Sequence, residues 1–193
     1  MAAQQPHTEF PPLVTQAVNL ARQLGFEHSC LPEVGRLLFV LAGSVRAGTI
    51  GEIGTGCGVG AAWIASALTA GPRFLTVELD PEQAASASTL LQPYPAIQVL
   101  HSDWHALLSY GPFDLLFVDA TPAKYDEPES VVAALRPGGM VMLDDLTPPE
   151  YWPEEWHGQP DALGEFWLTH KDLRATELRT TPPTSVILAT RIA

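Results

Sequence analysis

The side chains best able to do chemistry in this sequence are acids, and each closes an apolar run. In GEIGTGCGVG, residues 51–60, Glu52 stands just ahead of four alternating glycines, Gly54, Gly56, Gly58 and Gly60. Glycine has no Cβ, so backbone there can approach a ligand closely. The helix expected next would offer free N–H groups at its start. Glu78 closes TVELD, Asp103 lies in HSDW, Asp119 closes FDLLFVDA, and Asp144-Asp145 close VMLDDL. An acid at Glu78 can accept both hydroxyls of a ribose, a device shared by nicotinamide-dependent proteins. Carboxylates held close without a cation repel, raising the pKa of one until it can act as a general base.

These stations need a scaffold, and the hydropathy pattern supplies one. Apolar residues at helical spacing over 8–26 and 32–45 predict two N-terminal helices, the second with Pro32 in its first turn. From residue 49 short apolar runs alternate with helical stretches. TIGEIG, RFLTVELD, AIQVLHSD, FDLLFVDA and MVMLDDL read as strands. Helices are expected to Leu68, over 81–92, at WHALLS, and over 126–139 ending at Pro137-Gly138-Gly139. Such alternation implies right-handed crossovers and a parallel sheet. A helix over 161–173 follows, and RATELRT and SVILATRIA flank TPPT as an antiparallel pair. The expected fold is α/β, a Rossmann-like doubly wound, mostly parallel seven-stranded sheet with a C-terminal antiparallel hairpin and an N-terminal helical extension. It reads as one domain over 1–193: helices in 1–47, a ligand-binding core in 48–145, and a substrate-side loop, helix and hairpin in 146–193. In such sheets ligands sit beyond the carboxyl ends of the strands, where all six acids fall.

The totals narrow the classes. The 193 residues carry a net charge of −12 with 10 Lys and Arg, and no basic stripe is present. That argues against a nucleic-acid partner, which needs cations against phosphate. No apolar run reaches membrane-spanning length, and MAAQQPHTEFPP lacks the charged and apolar regions of a signal peptide. Two cysteines, Cys30 and Cys57, make no disulfide framework. The expected location is the cytoplasm.

The glycine pattern fits a dinucleotide fingerprint only loosely, since Val59 or Ala61 falls where the third glycine belongs. EIGTGCGVG instead resembles the first motif of class I S-adenosylmethionine-dependent methyltransferases. It is most similar to the catechol and caffeoyl-CoA type O-methyltransferases, including their bacterial members. VELDPE is similar to that family's second motif, and SCLPEVGRLL resembles the segment packed before the first motif. The resemblance covers about residues 30–193 and is strongest over 49–145. It implies S-adenosyl-L-methionine as cofactor and a small-molecule hydroxyl acceptor, catechol-like. Glu52, Gly54, Thr55, Gly56 and Gly60 would hold the methionine end, where carboxylates and backbone N–H groups suit an ammonium and a carboxylate. Glu78 would take the ribose, beside Leu79. Asp103 would accept from the adenine amine, with Trp104 against the ring. As plain structural residues, Asp103 would cap a helix and Trp104 would pack in the core.

In the resembled family the fourth-strand aspartate, here Asp119, is a metal ligand and also lies near the cofactor. Its partners are an Asp-Asn pair, here Asp144-Asp145. Three strand-end carboxylates suit a hard divalent cation such as Mg²⁺, which would lower the pKa of an acceptor hydroxyl. Asp in place of Asn makes such a site more anionic. Asp119 and Asp144 are the expected catalytic groups. Lys124 falls two residues later than the family's usual lysine, so a solvated surface lysine is expected. No histidine is singled out, and Cys57 reads as a small packing residue. The loop 146–160, with Tyr151, Trp152 and Trp156, could wall an acceptor site or simply anchor itself. The resemblance also makes a homodimer the expected assembly. Two alternatives stay open: a cofactor-binding module without turnover, and a nicotinamide-dependent oxidoreductase.

Overall fold

A computed structural model describes residues 9–193. Residues 1–8, most of the stretch read against a signal peptide and the first residue of the first expected helix, lie outside the described residues. The elements run α1 (Pro12–Gln23), α2 (Pro32–Ser44), β1 (Thr49–Ile53), α3 (Val59–Ala67), β2 (Arg73–Glu78), α4 (Pro81–Leu91) and β3 (Ile97–His101). They continue with α5 (His105–Leu108), β4 (Phe113–Val118), α6 (Thr121–Tyr125), α7 (Pro128–Ala134), β5 (Leu135–Leu146), α8 (Ala162–Thr169), β6 (Leu173–Thr181) and β7 (Thr184–Arg191).

The seven strands form one sheet in the order β3-β2-β1-β4-β5-β7-β6. The first five pair in parallel, and β7 pairs antiparallel with both β5 and β6. The order reverses direction between β1 and β4, so the crevice above those two strands is the ligand-binding switch point of an open α/β sheet. Burial follows from that topology. Every residue of β4 except Asp114 is buried, as a central parallel strand covered on both faces requires.

The N-terminal helices complete one layer. α1 buries Leu13, Val14, Ala17 and Ala21, and α2 buries Val34, Gly35, Leu38 and Ala42. The Trp63 indole on α3 lies where a Cβ on Gly35 would stand, so α2 and α3 meet through a bare backbone. Phe10 packs edge-on against the same indole, with ring centroids 5.5 Å apart. On the opposite face Trp167 of α8 is fully buried.

Two differences from the sequence reading matter. The helix expected over 126–139 ends at Ala134, and β5 already begins at Leu135. Pro137-Gly138-Gly139 therefore lies within β5 rather than ending the helix, where the β4–β5 pairing shifts register between Phe113 and Leu115. A further short helix, α6, follows β4 directly. It was not anticipated because five residues cannot show a helical period.

Candidate active site

β1 delivers Glu52 to the crevice with no solvent exposure. Its Oε2 accepts from the Thr76 hydroxyl at 2.5 Å, and that hydroxyl is also 2.5 Å from Thr55 Oγ1. Glu52 Oε1 is buried and has no partner; among the described residues only Ser29 Oγ shares that state. Both residues line one cleft of about 250 Å³, together with Cys30, Gly54, Gly56 and Asp119. Burial holds the Glu52 carboxyl well above the usual carboxylate range; the Thr76 bond offsets this in part, and Asp119 and Glu78 add to it. The glycine loop is bare for two reasons. Gly54, Gly56 and Gly58 have φ of 94°, 52° and 87°, and a Cβ on Gly60 would stand 2.5 Å from Glu52 Oε1. Glu78 clamps the loop from the end of β2. Its carboxylate accepts from the backbone N–H of Gly56 (2.7 Å), Leu79 (2.8 Å) and Asp80 (2.9 Å).

Lys124 corrects the sequence reading. It is 4% exposed, its Nζ donates to the Asp144 carbonyl at 2.8 Å, and it stands 4.0 Å from Asp119 Oδ1. The two extra residues of spacing are taken up by the compact turn of α6, which carries the lysine back over the strand ends. Trp167 Nε1 donates to the Lys124 carbonyl at 3.2 Å and pins that turn.

The acids around Lys124 are strongly perturbed. Burial pushes Asp119 up to about 8, aided by the charges of Asp144, Asp145 and Glu78 and opposed by Lys124. Burial also raises Asp144 to about 6, against the N–H of Asp145, which donates to its Oδ1 at 2.7 Å. Asp145 has a φ of 59°, and the β5–β7 pairing shifts register between Leu143 and Leu146. Asp and Asn are the residues other than glycine that best tolerate this left-handed conformation, which gives the position a backbone reason to be one of the two. The Cys30 thiol is pushed up by burial and then by Asp144, Asp119 and Glu52.

The geometry does not show the expected Mg²⁺ site. Among the described residues no three His, Cys, Asp or Glu side chains are placed to hold a metal. Asp144 Oδ1 is already bonded to its neighbour's N–H, and an ammonium stands beside Asp119. Lys124 thus stands as a local cation beside Asp119 and Asp144.

The expected adenine contacts also lie outside this cleft. Asp103 is exposed just ahead of α5, accepting from the His105 backbone N–H at 2.9 Å and pairing with the His105 ring. His105 Nε2 lies 3.1 Å from Glu127, and the buried Trp104 ring stacks on the imidazole at 4.0 Å. Leu79 is exposed.

A second cavity, of about 500 Å³, opens beside the first; Lys124, Tyr125, Trp152, Trp156, Leu163 and Ile187 help line it. Trp152 and Trp156 meet at 81° with centroids 6.2 Å apart, and Trp152 Nε1 donates to the Thr147 carbonyl at 2.7 Å. Tyr151 does not join them; its ring faces Arg179 instead. Asp145 lines both cavities, so the two meet at the end of β5.

Residues 52–146, from the buried acid to the end of β5, match the profile of a methyltransferase domain. The matched stretch is just under half of the chain. A catechol O-methyltransferase of Niastella koreensis is 32% identical over 130 residues, which cover 61% of this chain and 58% of that protein. The chain spans just over half the length of the curated relatives it matches. An O-methyltransferase from Bacillus cereus, solved in complex with SAH, superimposes with a TM-score of 0.81 at 21% identity, covering 96% of this chain and 93% of that one. TomG of Streptomyces achromogenes, an O-methyltransferase solved with SAM, gives 0.76 at 23%, covering 96% and 92%. At these identities the two structures establish the fold.

The cleft thus recruits residues that sequence reasoning passed over. Thr76 was hidden because a lone polar residue in a strand carries no pattern. Ser29 and Cys30 lie in SCLPEVGRLL, a segment noticed only for its packing. Among the described residues no helix is long and apolar enough to cross a membrane.

Proposed function

We propose that this protein is an S-adenosyl-L-methionine-dependent O-methyltransferase acting on a small hydroxylated acceptor. The observation that carries the reading is the meeting of two cavities at Asp145, one ending on the unpartnered Glu52 carboxylate, the other walled by tryptophans. Glu52 Oε1 is an acceptor buried without a donor, which is costly unless a ligand supplies one. The ammonium of a methionine moiety fits that need, and the Ser29 hydroxyl beside it can donate to a carboxylate. Glu78 keeps acceptor capacity for ribose hydroxyls while three N–H groups fix its orientation. Asp103, Leu79 and Trp104 lie at the following strand end, the side on which adenine would continue.

The cofactor supplies an electrophilic methyl group on a sulfonium. The protein's share is alignment and proton removal. Trp152 and Trp156 hold a flat acceptor, and Lys124 and Asp119 face its hydroxyl from the floor. With its pKa raised to about 8, Asp119 is suited to take the hydroxyl proton near neutral pH, and Lys124 stabilises the oxygen anion that forms. Asp144 holds this lysine through its carbonyl.

The test is release of S-adenosylhomocysteine with a panel of catechols and phenols, in EDTA and with added Mg²⁺. Turnover that survives EDTA is expected. Turnover only with Mg²⁺ would overturn the lysine-based account. Tight cofactor binding with no transfer to any acceptor would instead favour a binding module without turnover.

A further inference from the structure

The hydroxyl of Thr76 has no reason in the packing of β2. Phe74, Leu75 and Val77 beside it on that strand are buried hydrophobics, and valine would fill the same space without a polar atom to satisfy. Thr76 is itself fully buried. The parallel register sets it directly across from Glu52 on β1, with Val99 of β3 on its other side. Its hydroxyl spans the first of these pairs, donating to Glu52 Oε2 at 2.5 Å. Such a length belongs to a hydroxyl bonded to an ionised acceptor.

A hydroxyl carries one proton, and Thr76 gives its own to Glu52. The 2.5 Å contact with Thr55 is then donated by Thr55. Thr55 belongs to the glycine loop, where the N–H groups of Gly54 and Thr55 both hang from the Val77 carbonyl, at 3.0 and 3.2 Å. Backbone and side chain of the loop therefore both close on β2 around Thr76.

Among the described residues the Thr76 hydroxyl is the one donor to the Glu52 carboxylate. It takes Oε2 and leaves Oε1 turned toward α3, where a Cβ on Gly60 would stand 2.5 Å from it. Burial raises the pKa of this carboxyl most, the Thr76 bond draws it back, and the charges of Asp119 beyond β4 and Glu78 at the end of β2 raise it further. Without the hydroxyl, both oxygens of Glu52 would be bare in the free protein. Thr76 is not part of the cleft wall, so its effect on a ligand passes through Glu52.

Resting on the reading of this cleft as an S-adenosylmethionine site, we propose that Thr76 is a positioning residue for the methionine end of the cofactor. It fixes Glu52 by one oxygen so that the other faces the ammonium.

Two variants test this. Thr76→Val keeps the shape and removes the hydroxyl, whereas Thr76→Ser keeps the hydroxyl. Calorimetric Kd values at pH 7 are taken for S-adenosylhomocysteine and for methylthioadenosine, which lacks the amino-acid end. Thr76→Val should weaken S-adenosylhomocysteine about tenfold and leave methylthioadenosine within about twofold, and Thr76→Ser should restore most of the loss. On a Glu52→Gln background the valine change should cost less than about threefold, because the charged acceptor it positions is gone. General damage to the fold would weaken both ligands alike, so the ratio of the two Kd values isolates the positioning role. An equal loss for both ligands, a loss that serine does not repair, or an undiminished loss beside Glu52→Gln overturns the proposal. Failure of the underlying reading looks different: neither compound binds the unaltered protein. The free protein then decides. A buried, bonded hydroxyl exchanges slowly with water and gives its own proton NMR signal. That signal should be absent in Thr76→Val, kept in Thr76→Ser and displaced in Glu52→Gln. No such signal in the unaltered protein, or one indifferent to Glu52, overturns the proposal without any ligand.

Discussion

Replacing Lys124 by Met keeps most of the buried stem and removes the charge. The ammonium stands 4.0 Å from Asp119 Oδ1. At an effective dielectric of about 20, one charge pair at that distance is worth about 4 kcal/mol. One pKa unit is about 1.4 kcal/mol, so the ceiling on the change at Asp119 is about 3 units. Asp119 is partly open to water, and screening brings the expected rise to about 1–2 units above its starting value near 8. A base that stays protonated at pH 7 cannot accept the acceptor's proton, so kcat/KM there should fall about 10- to 100-fold. The variant also strips the donor from the buried Asp144 carbonyl, a loss of about 1–3 kcal/mol. Release from holding a buried charge offsets part of it. Lys124→Gln separates the two effects, since its amide can donate to the carbonyl while carrying no charge. The measurement is the pH profile of kcat/KM at saturating cofactor, with melting curves beside it. Both variants should move the acid limb, set by ionisation of Asp119, to higher pH, and only Met should lower stability appreciably. A profile that stays in place in both variants would refute the coupling of Lys124 to Asp119.

Glu52→Gln should weaken S-adenosylhomocysteine binding by about tenfold or more, the worth of a hydrogen bond to a charged group, as read by calorimetry. The same variant should not lower the melting temperature of the free protein, because a buried, half-satisfied carboxylate destabilises it. Trp167→Phe removes the donor to the Lys124 carbonyl and should cost about 1–3 kcal/mol in urea unfolding while lowering kcat more than it raises KM. Stability should also vary with pH in one direction. Glu52, Asp119 and Asp144 all have folded pKa values above their unfolded ones, so the native state holds more protons from about pH 4 to 8. Unfolding free energy should therefore fall as pH rises through that window and level off above it. Melting temperatures across the range check this, and Asp119→Asn should flatten the upper half.

The fold was legible because its signal is long. Alternating strands and helices over residues 49–146 leave few topologies, and the acids at each strand end mark the rim. The parts that escaped are short or depend on contacts far apart in sequence. α6 is five residues, and its lysine turns inward because Trp167, 43 positions later, holds its carbonyl. Spacing measured along an extended loop sent Lys124 to the surface, whereas a helical turn shortens the path. The geometry does not show the expected metal site, for a related reason. Three carboxylates look like a ligand set in one dimension, but a neighbouring N–H occupies one, and a buried ammonium already stands among them. Asp103 is held by the His105 N–H just ahead of α5, a local contact that spacing alone predicts.

The charge balance links these observations. Five acids, Glu52, Glu78, Asp119, Asp144 and Asp145, surround the switch point, and among the described residues Lys124 is the cation that lines the site with them. Burial raises three of these carboxyls, with neighbouring acids adding to it, so protonation removes part of the charge in the free protein. A ligand bringing an ammonium and a sulfonium would let the same groups ionise. Binding such a ligand should therefore release protons, whereas a neutral or anionic molecule of the same shape should not. Calorimetry of S-adenosylmethionine in buffers of different ionisation enthalpy reads that release directly. Heats independent of the buffer near pH 7 would mean that the buried acids do not answer to the ligand's charge, and the electrostatic reason for placing them there would be lost.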